Sequence, residues 1–114
     1  MRVAYRVWIE HNGKAFGEGP YRLLRLIERE GSISKAASSM GLSYRKAWTI
    51  LRNVEKRLGL TLLKRRIGGQ SGGGSSLTPE ALQLVELYER FRGDLDRSIR
   101  EVFERYFSSM FSLD

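Results

Sequence analysis

The stretch "SISKAASSMGLSYRKAWTILRNVEKRLG", residues 32–59, holds two helix starts and two helix stops. In "SISKAASSMG", Ser34 is placed to cap a short helix, Ala36, Ala37 and Met40 to face inward, and Gly41 to stop it. The small alanines let another helix cross closely. In "LSYRKAWTILRNVEKRLG", Ser43 caps a longer helix and Gly59 ends it. Ala47, Leu51, Val54 and Leu58 recur at four, three and four and form its buried stripe. Two helices joined by the tight "MGLS" link predict a helix-turn-helix. Subtracting the stripe leaves Tyr44, Arg45, Lys46, Trp48, Thr49, Arg52 and Lys56 on the open face. A recognition helix enters the major groove by its N-terminal turns, where Arg pairs with guanine and Thr contacts a thymine methyl or a phosphate. Trp48 borders the stripe, which leaves both packing and base or sugar contact open.

Downstream, "LLKRRIGGQSGGGSSLTP", residues 62–79, sets three consecutive cations before a run of glycines and serines. A phosphate-binding P-loop needs a lysine inside its glycine-rich run and a helix opening directly after it, and "GGQSGGGSS" has no lysine. "LTLLKRR" has β character and "SSL" can return beside it, so the pair reads as a hairpin wing. Gly68, Gly69, Gly72, Gly73 and Gly74 sit at its tip. Glycines let backbone N–H groups approach phosphates closely, and Lys64, Arg65 and Arg66 supply charge. The plainer alternative is a flexible loop; the cations at its base favour the finger.

Charge is unevenly distributed. The 114 residues carry a net +7. Residues 1–31 hold six cations and four anions, and residues 32–76 hold nine cations against Glu55 alone. Residues 77–114 hold five arginines against eight carboxylates. A basic middle between near-neutral and acidic flanks is the footprint of a nucleic-acid or anionic-surface binder. Cysteine is absent, which removes disulfides, thiolate zinc sites and thiol catalysis together. No metal or cofactor site is expected. Nothing resembles a signal peptide or an apolar run of membrane-spanning length, so the cytoplasm is the expected compartment and no membrane partner is expected.

Outward from this centre, Val3, Tyr5, Val7 and Ile9 alternate with charged residues and predict a strand. Asn12-Gly13 predicts a tight turn and "KAF" a short returning strand. Trp8 falls on the polar face and is expected to pack against a neighbour; His11 is expected at the surface. "GEGPYRLLRLIEREG" predicts a helix with Pro20 at its first position, Leu23, Leu24 and Ile27 as its stripe, and Gly31 just past its end. From Pro79 the chain reads helical almost to its end. Leu84, Tyr88, Phe91, Leu95, Ile99, Val102 and Tyr106 recur near the heptad period. Gly93 either kinks this run or splits it. Phe103, Phe107, Met110 and Phe111 add more apolar surface than a lone helix end should expose, so a second copy of the chain is expected to cover it. Glu86, Glu89, Glu101 and Glu104 read as a solvated face rather than as catalytic acids.

Residues 31–81, with "SYRKAW" and the glycine-rich wing together, resemble the DNA-binding domain of ModE-type molybdate-responsive regulators, a branch close to the LysR-type winged helices. The upstream "WIEHNGKAFGEGP" extends the likeness over most of residues 1–85. The resemblance implies that the second and third helices form the helix-turn-helix, that the wing contacts flanking backbone, and that helices outside it form a dimer. Such regulators continue into molybdate-binding β-barrels, which are not present among these residues. The expectation is therefore a DNA-binding relative without that effector domain, leaving room for an unidentified effector or partner protein.

The reading is an α+β, mainly helical fold: a winged helix-turn-helix over residues 1–78 with an N-terminal β-hairpin, then a long dimerisation helix over 79–114. The expected function is a homodimeric, sequence-specific regulator of transcription that binds double-stranded DNA; an architectural DNA protein of little sequence preference is the alternative. Tyr44, Arg45 and Thr49 are expected to read bases, and Lys35, Lys46, Arg52, Lys64, Arg65 and Arg66 mainly to neutralise phosphates. Ser34, Ser43 and Gln70 complete the expected DNA-binding set. An enzyme would need a converging nucleophile, base or metal cluster, and the single His beside a turn offers none.

Overall fold

The computed structural model describes residues 1–66 and 74–113. Its elements run β1 (Trp8–Glu10), β2 (Lys14–Gly17), α1 (Glu18–Glu30), α2 (Ile33–Ser39), α3 (Tyr44–Leu58), β3 (Leu63–Arg66), β4 (Gly74–Leu77) and α4 (Pro79–Phe111). The class is α+β and mainly helical, with two antiparallel hairpins among the helices. Two compact units divide these elements: Val7–Val85, and Met1–Arg6 together with the chain from Glu86 onward.

In the first unit, β1 pairs with β2 so that Trp8 faces Gly17 and Ile9 faces Phe16, with a bulge between Ile9 and Glu10. Asn12 and Gly13 both take positive φ, 55° and 109°, as the turn requires. The Arg57 guanidinium donates to the Asn12 carbonyl, and a Cβ at Gly13 would lie 2.7 Å from that side chain, so the turn is fastened to the end of α3. The strand is shorter than the alternation from Val3 predicts. Its partner ends at Gly17, where the chain turns into α1, so Val3 and Tyr5 have nothing to pair with. Trp8 is not a core residue either. It is 42% exposed, its Nε1 donates to Glu10 at 3.1 Å, and Lys14 Nζ lies 5.0 Å from its ring centroid. Only β2 reaches inside, through Ala15 and Phe16.

Helix α1 begins at Glu18, which makes Pro20 its third residue rather than its first. Proline is tolerated there because N–H groups of the first turn have no partner within the helix. Leu23, Leu24 and Ile27 are buried, and Gly31, at φ 81°, returns its N–H to the Ile27 carbonyl at 2.8 Å. Helix α2 packs against both α1 and α3, and β2 contacts α1 and α3. Phe16, Leu23, Leu24, Ile27, Val54, Leu62 and Val85 are the largest fully buried side chains of the resulting core.

The wing is a two-stranded hairpin in which Leu63, Lys64, Arg65 and Arg66 pair with Leu77, Ser76, Ser75 and Gly74. An isolated hairpin of this size is marginal in water, and this one is fastened at its root. The Leu62 N–H donates to Glu55 Oε2 at 2.8 Å, the Thr78 N–H donates to the Leu62 carbonyl at 2.9 Å, and the Ser75 N–H donates to the Gly31 carbonyl at 2.9 Å. The Thr78 hydroxyl donates to the Thr61 carbonyl at 2.5 Å and accepts the Ala81 N–H at 3.1 Å, so it closes the hairpin and caps α4 at once.

In the second unit, α4 runs unbroken through Gly93. An interior glycine costs a helix about 1 kcal/mol relative to alanine. The nearest neighbour an added Cβ would meet is the far end of Arg97, at 4.0 Å, so nothing there forces a kink. The Tyr5 hydroxyl donates to the Asp96 carboxylate, and the Arg92 guanidinium lies 5.2 Å from the Tyr5 ring centroid. Phe103, Phe107 and Phe111 form a ladder with centroid separations of 5.1 and 5.8 Å.

Thr78 is 95% buried and makes both of its side-chain hydrogen bonds to backbone. Thr78→Val, of nearly the same shape, removes both and leaves the Thr61 carbonyl and the Ala81 N–H without that partner. The expected loss is about 1–3 kcal/mol of folding free energy, read from urea unfolding midpoints at unchanged m-value.

Candidate nucleic-acid interface

Helix α3 starts where expected: Ser43 is extended at φ −70° and its hydroxyl accepts the Lys46 N–H at 3.0 Å. The stop is equally local, with Gly59 at φ 69° returning its N–H to the Glu55 carbonyl. Ala47, Leu51 and Val54 are buried, while Leu58, the last member of the expected stripe, is half-buried. That stripe turns Tyr44, Arg45, Lys46, Trp48, Thr49, Arg52 and Lys56 outward, and all seven are exposed. Trp48 is 47% exposed, with the Arg52 guanidinium 5.5 Å from its ring centroid, so it lies on the open face and not in the core.

Helix α2 differs from expectation at its start. Its cap is Ser32, extended at φ −155°, whose hydroxyl accepts the Lys35 N–H at 3.1 Å. Ser34 lies inside the first turn and is exposed. The shift has a simple cause: the left-handed Gly31 ends α1 and hands over directly to an extended residue, which is the conformation a cap needs. Ala36 and Ala37 are buried, and Met40 is half-buried as the C-cap residue.

The exposed side chains of Ser34, Lys35, Ser43, Tyr44, Arg45, Lys46, Thr49 and Arg52 thus come from α2, α3 and the link between them. Lys64 and Arg65 are exposed on β3, and Arg66 continues that strand. Gln70 and the tip glycines at 68, 69, 72 and 73 lie outside the described residues; Gly74 opens β4. Two features escaped sequence reasoning. Arg57, one of the nine cations of the basic segment, is taken up by the Asn12 carbonyl, and Glu55 bridges α3 to the wing. Neither has a periodic signal, since each bond joins residues on different elements. Among the described residues no group of three His, Cys, Asp or Glu side chains could hold a metal ion, and no helix is long and apolar enough to cross a membrane.

Residues 21–82, from α1 through the first turn of α4, match the family described as bacterial regulatory helix-turn-helix protein, lysR family. The chain belongs to the LysR family. Within reach of this LysR-type chain are several ModE proteins. It is 34% identical over 93 residues to the molybdenum transport protein ModE of Azotobacter vinelandii, covering 82% of this chain and 34% of that one. It is 43% identical over 68 residues to the transcriptional regulator ModE of Haemophilus influenzae, covering 60% of this chain and 27% of that one. The molybdenum-pterin-binding protein MopB of Rhodobacter capsulatus is 38% identical over 87 residues, 76% of this chain and 32% of its own. The LysR-type chain therefore spans about a third of the length of these relatives. A crystal structure of the BenM DBD with benA site 1 DNA superposes with a TM-score of 0.56 at 22% identity, over 79% of this chain and 94% of the other, and shows the same winged fold.

The two serines separate cleanly in an unfolding experiment. Ser32→Ala should lower stability by about 1 kcal/mol, since it removes the cap of α2. Ser34→Ala should stay within about 0.5 kcal/mol of wild type, as an exposed residue inside the turn. A loss of that size in Ser34→Ala, with Ser32→Ala close to wild type, would place the cap where the sequence reading put it.

Proposed function

We propose that this chain is the DNA-binding part of a transcription regulator, acting as a homodimer on a specific duplex sequence. The observation that carries the proposal is the open face of α3, where Tyr44, Arg45, Lys46 and Thr49 stand exposed on the first turns of a well-capped helix, together with the exposed Lys64 and Arg65 of β3. Arg45, Tyr44 and Thr49 read base edges in the major groove. Lys35, Lys46, Lys64, Arg65 and Arg66 neutralise phosphates, Arg52, expected among them, is paired with Glu55, and Ser34, Ser43 and Gln70 add backbone contacts at the edges of the footprint. The action is binding without chemistry, and its place is the cytoplasm. Relatives that are named regulators, and a similar fold solved with DNA, support the same reading.

Residues 1–78 form the reading module in this proposal and residues 79–114 the dimerisation helix. Support for the dimer comes from the exposed apolar side chains of α4: Phe91, Val102, Tyr106, Phe107, Met110 and Phe111. A second copy would cover them and bring two recognition helices to major grooves about 34 Å apart or a multiple of it, giving an inverted-repeat site. Molybdenum, which the names of two relatives mention, has no assigned part here.

Selection of bound duplexes from a random pool tests specificity and half-site symmetry together. On the selected site, Arg45→Ala should lose about 1–3 kcal/mol and relax preference at one base position; equal weakening on selected and random duplexes would reduce Arg45 to a phosphate contact. The dimer has its own test. Ile99→Asp with Val102→Asp places charges in the proposed seam and should yield folded monomers that bind DNA weakly. Sedimentation of a wild-type chain that stays monomeric at tens of micromolar, or of a double variant that stays dimeric, would refute it.

A further inference from the structure

Arg52 stands apart from the other cations of the basic segment. Among the described residues of that segment it is the cation held in an ion pair, with Nη1 3.2 Å from Glu55 Oε1. Glu55 is the only acid between Ser32 and Ser76, and it is not a free surface carboxylate. Its side chain is 19% exposed, and its other oxygen accepts the Leu62 N–H at 2.8 Å. Pinned at one oxygen by the backbone of the wing root, the carboxylate cannot swing away, so the second oxygen presents a fixed negative charge to Arg52. Trp48, one turn earlier on the same open face, attracts the guanidinium from the other side through its ring. Glu55 and Trp48 thereby engage one exposed cation of the open face, where Arg45, Lys46 and Lys56 are exposed as well.

We infer that Glu55 lowers the sequence-independent DNA affinity of the helix-turn-helix by competing with phosphates for Arg52, which it holds with Trp48 as one platform. The inference rests on the DNA-binding reading above. A phosphate contact raises affinity for every duplex alike, whereas contacts to base edges separate one sequence from another. A cation withdrawn from phosphates therefore lowers binding to every duplex by about the same factor and leaves discrimination to the base-edge contacts. Glu55 acts through Arg52 and is a positioning residue.

Glu55→Gln keeps an oxygen for the Leu62 N–H and removes the charge that holds Arg52. Titrations of the full chain with a random duplex and with the selected duplex, across a range of salt, read the consequence. The variant should bind the random duplex roughly threefold more tightly, with a log–log salt slope steeper by about 0.9, one added phosphate contact. Affinity for the selected duplex should rise by about the same factor, so the ratio of the two is unchanged. Neutralising any carboxylate raises the net charge, so the same substitution is repeated on Arg52→Met, where it should leave the slope unchanged. Arg52→Met alone, which spares the wing root, should bind the random duplex with the wild-type slope. In a Trp8→Phe background, where Trp48 is the remaining tryptophan, Glu55→Gln should also shift the emission of the free protein. An unchanged slope or unchanged emission in Glu55→Gln, the same steepening without Arg52, or a slope shallower by about 0.9 in Arg52→Met would each overturn the inference and leave DNA binding standing. A wild-type chain that binds neither duplex would overturn both.

Discussion

Leu62 lies where the chain passes from α3 into the wing, and both of its backbone groups are bound from other elements. Its N–H is taken by Glu55 on α3 and its carbonyl by the N–H of Thr78, which opens α4, while its side chain is wholly buried. These bonds fix the position of β3 relative to α3. β4 is held through Thr78 and through the Gly31 carbonyl at the end of α1. A buried backbone group that loses its partner forfeits the full cost of its desolvation, about 1–3 kcal/mol. The root of the wing is therefore far stiffer than a free hairpin of four-residue strands would be, and the cations on β3 are presented from a defined place.

That arrangement also divides the charges into classes that composition treats alike. Nine cations lie between residues 32 and 76, but they do not do one job. Arg57 closes the β1–β2 turn from the last turn of α3, at the far end of the helix from Ser43. Arg52 is shared between Glu55 and Trp48. The remainder of the exposed set, Lys35, Arg45, Lys46, Lys56, Lys64 and Arg65, projects from α2, α3 and β3. A net charge gives the sign of the partner; which cation meets it depends on carboxylates and carbonyls placed by the fold.

How much of this was legible depends on the range of the interaction concerned. Helix α3 was readable from end to end because Ser43, the Ala47–Leu51–Val54 stripe and Gly59 each act within one turn. The wing was readable because cations, glycines and a following Thr-Pro are a compositional pattern. The start of α2 was misplaced by two residues, since either serine can cap and the choice is made by the left-handed Gly31 before them. The first strand was drawn too long because its length is set by the partner, which ends at Gly17. Gly93 left a question open that the structure closes, as α4 runs unbroken through it and an added Cβ would meet only the far end of Arg97. Least visible were Glu55 and Thr78. Each looked like an ordinary helix residue and a helix start, and each works chiefly through a backbone group on another element.

The family match begins at Tyr21 and so leaves the β1–β2 hairpin outside. That hairpin is not an appendage. Phe16 is fully buried in the same core as Leu23, Leu24, Ile27 and Val54, and a buried phenylalanine is worth several kcal/mol to a domain of this size. The hairpin is also where Arg57 is used, through a turn that only glycine fits at position 13. A helix-turn-helix with a wing needs a third side to its core, and β2 supplies part of it here by lying against both α1 and α3. The residues that would face DNA lie within the family match, and part of what holds them in place precedes it.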